Sequence, residues 1–221
     1  MRLQVLPTGD VEVVVPRGQD PAAALEFVES RRDWIERTRT RIGEQYHRRQ
    51  EACSTFPDTL ELRALGESWY LDCVEQALQR ARLDVFPGRR LRFRGDLCSP
   101  ADCHRLLRNW IRSKARLHLP DQLQRVAADI GLSYRKVTIR AQRRRWGSCS
   151  DRGDISLNCK LLFLPSELVD YLLVHELCHT RHLDHSSAFW GLVEKKLSGY
   201  RELDRRLRRA GELVPAWFSC E

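Results

Sequence analysis

The stretch Tyr171-Leu172-Leu173-Val174-His175-Glu176-Leu177-Cys178-His179-Thr180-Arg181-His182-Leu183-Asp184-His185 decides how this chain is read. Upstream, Pro165 and Ser166 open an apolar run with Leu168, Val169 and Leu172 to Val174, which predicts a buried helix through about His179. Four residues advance a helix by about 400°, so His175 and His179 lie on one face a turn apart. Two imidazoles so placed reach one Zn²⁺ at about 2.0–2.1 Å. Glu176 follows the first of them and is placed to reach a water on the metal.

A catalytic zinc needs a third protein ligand and one open position. His182 and His185 are the candidates. On a continued helix His182 would share the face of His175 and His179, about 10.5 Å along the axis from His175. Three ligands stacked along one axis cannot surround a tetrahedral ion. The third ligand is therefore expected after the chain has turned, and His185 fits better, six residues past His179 and beyond Leu183-Asp184. Cys178 lies off the two ligand directions and reads as a small packing residue. The spacing 175, 179, 185 equals that of metzincins, with His182 where their pattern has Gly. Those enzymes need a Met-turn after the third His. The one Met of this chain is Met1, so the metzincin class is excluded.

Working outward, 221 residues suit one domain or two small ones. An apolar fraction of 42% is enough for a globular core. No run approaches the roughly 20 apolar residues of a membrane span, and the N-terminus has no signal-peptide h-region, so a cytoplasmic chain is expected. The eight cysteines then read as free thiols. Cys98, Cys103 and His104 form a loose group whose spacing is poor for a zinc finger. The net charge of +8 permits an acidic or nucleic-acid partner without establishing one. Nothing in the pattern sets an oligomeric state.

Residues 2–5 and 11–15 flank turn-forming Pro7 to Asp10 and predict a hairpin. Asp20-Pro21 starts a helix expected to run to about Ile42. Short strands are expected at 59–65, 68–74, 81–86 and 91–94, with 75–80 either extended or helical. Ser99-Pro100 starts a further helix, and a separate short one is expected from Pro120 to a C-cap at Gly131. Val137, Ile139 and Ala141 alternate with polar residues as a strand with one buried face. Ile155 and Leu157 are expected to return beside it as a hairpin. A final basic helix covers about 202–210. The fold class expected is α+β and zincin-like: an HExxH helix beside a small antiparallel sheet, with a β-rich N-terminal part. Residues 1–97 form that β-rich part with one long helix, and 98–221 the zincin-like part, as one continuous family domain.

His175 to His179 followed by His185-Ser186-Ser187-Ala188-Phe189-Trp190 resembles the YgjP-like metallopeptidase family, related to the SprT-like zinc proteases. Arg145-Trp146-Gly147-Ser148-Cys149-Ser150 and Ile155-Ser156-Leu157-Asn158 match its second block. Pro165, Asp170-Tyr171, Val15-Pro16, Phe27 to Ser30 and Trp34-Ile35 match further parts. The resemblance covers about residues 1–205. The chain departs from it after Trp190, where the family often has Pro and this chain has Ser198-Gly199-Tyr200. It implies that His175, His179 and His185 are zinc ligands, that Glu176 is the catalytic acid/base, and that the substrate is a peptide or protein.

The corresponding chemistry is a zinc-bound water that attacks a carbonyl while Glu176 carries its proton to the leaving amine. Tyr171, His182, Arg145 and Ser148 are candidates to steady the oxyanion. Trp146 reads as packing its loop. The strand at 137–142 offers an edge on which an extended substrate can pair. Two other functions are carried by the sequence. Arg89, Arg90, Arg92, Arg94, Arg143 to Arg145, Arg205, Arg206, Arg208 and Arg209 suit phosphate contacts, as in a DNA-associated protein or a protease acting on DNA-bound proteins. A zinc-bound interaction module without turnover is the other.

Overall fold

A computed structural model describes residues 1–5, 10–16, 27–41, 57–75, 81–95 and 100–219. The chain forms two compact units, residues 1–55 and 56–219. In the first, β1 (Arg2–Val5) and β2 (Val11–Val14) pair antiparallel with Arg2 opposite Val14. This is the expected hairpin; its turn lies outside the described residues. A helical turn at 27–29 and α1 (32–41) fall within the predicted helix, whose start lies outside them.

The second unit begins with four strands in the order β3-β4-β6-β5. They are β3 (Thr59–Leu62), β4 (Glu67–Glu75), β5 (Arg82–Phe86) and β6 (Arg90–Gly95). β3–β4 and β5–β6 are antiparallel pairs, joined by parallel pairing of β4 with β6. Alternate residues Leu60, Leu62, Trp69, Leu71, Leu91 and Phe93 face the core. Residues 63–65 form a 3₁₀ turn rather than an extension of β3, and left-handed Gly66 ends it. The expected boundary at 97/98 falls inside this unit, because the core-facing side of the sheet packs with the helix that follows.

That helix, α2 (Pro100–Ile130), is one 31-residue element, not the two expected. Proline removes a helical hydrogen bond and usually breaks or kinks a helix. Here Pro120 lies inside it, between buried Leu119 and Leu123. Cys103, Leu107, Ile111, Ala115, Leu119, Leu123 and Ala127 recur every fourth residue and are all buried. Each such step rotates about 40° around the axis. The buried stripe therefore winds, and the helix meets different partners along its length. Trp110 packs edge-on against Trp69 of β4, and His104 stacks on Trp217. Cys103 and His104 are thus core residues, while Cys98 lies outside the described residues. Gly131 takes the left-handed C-cap conformation expected of it, and Leu132 N–H bonds back to Ala127.

The next sheet corrects the expectation of a small antiparallel one. It is mixed, in the order β7-β9-β8, from β7 (Lys136–Arg140), β8 (Gly147–Cys149) and β9 (Asp154–Asn158). β7 pairs parallel with β9, and the hairpin is β8–β9. Residues 141–146 carry the chain across the sheet before it turns back. Asn158 ties that crossover down: its side-chain amide donates to the Gln142 and Arg145 carbonyls at 2.8 and 2.7 Å, and its oxygen accepts from Lys160 N–H at 3.1 Å.

Three helices complete the unit: α3 (Ser166–Cys178), α4 (Ser187–Lys196) and α5 (Tyr200–Arg209). α3 is buried almost all round, as its continuous apolar run requires. α5 is the expected basic helix. α4 was not anticipated; Ser186 caps it by accepting from Phe189 N–H. Among the described residues no helix is long and apolar enough to cross a membrane.

Candidate metal centre

α3 presents His175 and His179 one turn apart, as the spacing predicts. The helix ends at His179, and the chain turns through residues 180–186 to bring His185 back. His175 Nε2 lies 3.2 Å from His179 Nε2 and 3.2 Å from His185 Nε2. All three ligand atoms fall within 4.8 Å of one another. His179 is buried, His175 half-buried and His185 exposed, so the group opens to solvent on the His185 side.

The tautomer of His179 is set by its surroundings. Its Nδ1 lies 2.9 Å from the His182 carbonyl, which can only accept. The proton therefore sits on Nδ1, leaving the Nε2 lone pair directed at the other rings. His182 thus contributes its backbone to the site. Burial, then the charges of His179 and His185, push His175 down to about 4. Burial also lowers His179. Both rings are neutral at pH 7, the form that binds a metal. Three lone pairs facing one point repel unless a cation lies between them. The donor set therefore suits a metal ion.

Aromatic rings enclose the group. Fully buried Phe189 stacks on His179 at 4.4 Å between centroids and touches His175 and His185 edge-on. Trp190 packs against His175 and His185 and stacks on Tyr200. α4, missed in the sequence, is the element that supplies both rings; the Ser186 cap was its one local signal.

Glu176 is 4% exposed, and its Oε2 is buried with no hydrogen-bond partner among the described residues. Burial pushes its carboxyl up to about 8. Gly147, at the start of β8, lies directly against it. A Cβ there would stand 2.6 Å from Glu176 Oε1 and 2.9 Å from its Cδ. Only a residue without a side chain lets β8 approach this closely.

The other residues picked from the sequence take distinct places. Tyr171 is fully buried one turn before His175, and its hydroxyl donates to Asp204 at 2.9 Å. Its proton is committed there and not to an oxyanion. Arg145 and Trp146 line a cavity beside the crossover, and Ser148 sits in β8. Several of the arginines marked for phosphate contacts are in ion pairs. Arg92 grips Asp72 with two nitrogens, Arg94 pairs with Asp84, Arg205 with Glu202, Arg206 with Glu167 and Arg208 with Asp204.

Three imidazoles thus converge on one point, and a buried carboxylate lies on the same helix. The model of the YgjP-like metallopeptidase domain matches residues 1–210, and the chain belongs to that family. Among solved structures it is similar to the metallopeptidase zymogen of Pyrococcus abyssi abylysin. The identity is 31% over 42% of this chain and 94% of that one, with a TM-score of 0.37. The metallopeptidase zymogen of Methanocaldococcus jannaschii jannalysin matches at 18% identity over 43% and 96%, with a TM-score of 0.36. No curated protein matches.

Proposed function

We propose that the chain is a zinc-dependent peptidase in which His175, His179 and His185 hold the metal and Glu176 is the general base. The observation that carries this reading is the pair of 3.2 Å spacings between Nε2 atoms. Ligands about 2.0–2.1 Å from a tetrahedral zinc lie roughly 3.3–3.4 Å apart, and the two spacings from His175 are close to that value. Three imidazoles leave a fourth position open, which distinguishes a catalytic from a structural site. When bound, zinc supplies a water acidic enough to be a nucleophile near pH 7 and polarises the scissile carbonyl.

Glu176 takes the proton of the attacking water and returns it to the leaving amine. Its surroundings suit that task. Burial raises its affinity for a proton, and a neighbouring positive charge draws the value back toward neutrality, where a base works best. Gly147 and the packing of β8 fix where the carboxylate points. Phe189 and Trp190 exclude water from the inner side of the rings. β7 and β8 are both terminal strands of their sheet, and β8 is the one that lies against Glu176, so it, rather than β7, is the edge on which an extended substrate would pair there.

Metal analysis and peptide cleavage test the reading. Near-stoichiometric zinc is expected in both the wild type and Glu176→Gln, with cleavage lost by about a thousandfold or more only in the variant. A wild type purified without metal and unable to take it up would sink the proposal.

A further inference from the structure

A cavity of about 230 Å³ lies beside the crossover between β7 and β8. Arg143, Arg144, Arg145 and Lys160 line it, together with Arg208 of α5 and the ring of Trp146. Five of its nine lining residues are cationic and none is acidic. Like charges held around one small concavity focus a positive potential into it, and the fold maintains them there at a cost in self-repulsion.

Both walls of this cavity lead to the metal centre. Trp146 and Arg145 directly precede Gly147, the residue against Glu176. Asn158 holds the Arg145 carbonyl at 2.7 Å, and Trp146 O accepts from Asn158 N–H at 2.8 Å. The arginine wall is thereby a fixed extension of β8. On the other side Arg208 Nε donates to Asp204 at 2.9 Å, and Asp204 accepts the hydroxyl of Tyr171. Tyr171 packs edge-on against His175. A second open cavity, lined by Trp190, Tyr200 and the same Arg208, lies between α4 and α5. Arg208 thus stands between two hollows, one bordered by the rings around the histidines and one by the arginine triplet.

We propose that this basic cavity is a substrate subsite that receives acidic side chains or a terminal carboxylate of a peptide lying along β8. The choice of a peptide rests on the peptidase reading above. The charge requirement rests on the cavity itself. Guanidinium groups meet carboxylates through paired hydrogen bonds, and three neighbouring arginines offer several such forks. The concavity accommodates one or two carboxylate groups delivered by an extended chain, and its continuity with β8 places them a few residues from the bond to be cut. A duplex, whose phosphates lie along a broad convex surface, fits it less well.

The test is a binding measurement on the full chain carrying Glu176→Gln, so that no turnover is involved. The probes are a fluorescein-labelled peptide with three consecutive Glu and the same peptide with Gln in their place, read by anisotropy at low and high salt. The expected result is at least tenfold tighter binding of the acidic peptide, weakening as salt rises. Changing Arg143, Arg144 and Arg145 together to Gln is expected to bring the ratio to about one, while changing all three to Lys, which keeps the charge and loses the paired hydrogen bonds, is expected to keep only part of it. Thermal melts of both variants establish that they are folded. Equal binding of the two peptides, or a preference that survives the Gln variant, overturns the proposal. So does a short DNA duplex that displaces the acidic peptide more effectively than unlabelled peptide does. Failure of the wild type to cleave any peptide, with the acidic preference intact, counts against the peptidase reading and not against the subsite.

Discussion

At the scale of single residues, Gly147 and Glu176 are one device. The contact is between a backbone and a carboxylate distant in sequence, with 2.6 Å available to a side-chain carbon that is absent. In Gly147→Ala one of the two must move. Displacing a reacting group by about 1 Å costs on the order of a hundredfold in rate. A loss of that size in kcat, with thermal stability and metal content retained, is expected. The sequence marks Gly147 only through family resemblance, since no local pattern encodes a close approach across the fold. The approach of His175 to His179 was legible, because helical spacing alone puts their rings on one face. The return of His185 to the other two rings was expected, because a tetrahedral ion would reject a third ligand on the same axis.

Glu176 also carries a pH signature in the metal-free protein. Its folded value, near 8, lies above its ordinary range. Such a group stabilises the fold fully below its unfolded value of about 4.5 and loses that contribution as pH rises through about 8. His175, at about 4, and His179 act in the opposite sense. They disfavour the fold as pH falls below the ordinary histidine value of about 6.5, because the unfolded chain then binds more protons. Metal-free Glu176→Gln is therefore expected to be more stable than the metal-free wild type at pH 8–9. The gap should close toward pH 4. Denaturant midpoints across that range measure it.

At the scale of elements, the crossover at 141–146 depends on Asn158. This buried side chain makes three hydrogen bonds to the backbone. Asn158→Ala strands two carbonyls and an N–H, and a loss of about 2–3 kcal/mol is expected in urea unfolding. β8 would lose its anchor, so activity should fall as well. α2 makes the contrary prediction. Pro120→Ala restores a helical N–H in the interior of a continuous helix. A gain of about 1–2 kcal/mol is expected, part of proline's helix penalty of roughly 3 kcal/mol.

The elements also show where pattern reading stops. Alternation in 137–141 and 155–157 identified two strands, but only β9 has the buried face expected: Val137 and Ile139 of β7 are half-buried, and Ala141 lies beyond the strand and is exposed. Alternation carries no information on whether neighbours run parallel, and the insertion of β8 after the crossover made β7 and β9 parallel. Proline at 120 was read as a helix start because local chemistry favours that position. The stripe Ala115, Leu119, Leu123, Ala127, continuous on either side of it, overrides the local cost through burial. α4 carries only Phe189 and Val193 as buried apolar residues, too short a pattern to stand out.

At the scale of the molecule, several arginines behind the charge of +8 are in ion pairs, and some, Arg208 included, also gather around one cavity. The exposed pairs contribute little to stability, about 0–1 kcal/mol each. Removing the metal acts on the whole chain. A ligand that binds only the folded form stabilises it by mass action, so stripping with a chelator is expected to lower the melting temperature. Re-addition of zinc should restore it. His185→Ala should abolish the difference between loaded and stripped protein.

The turn at 180–184 acquires a second meaning from its position. It begins at His179 on a buried helix and ends at His185, which is exposed to solvent. On the proposed ligand set, an ion held at both ends would act as a covalent-like clip across a short stretch of chain and fasten the entry to α4. The occupied centre is therefore self-reporting by protease susceptibility. Arg181, exposed within the clipped segment, is the peptide bond at which trypsin should distinguish the empty protein from the loaded one.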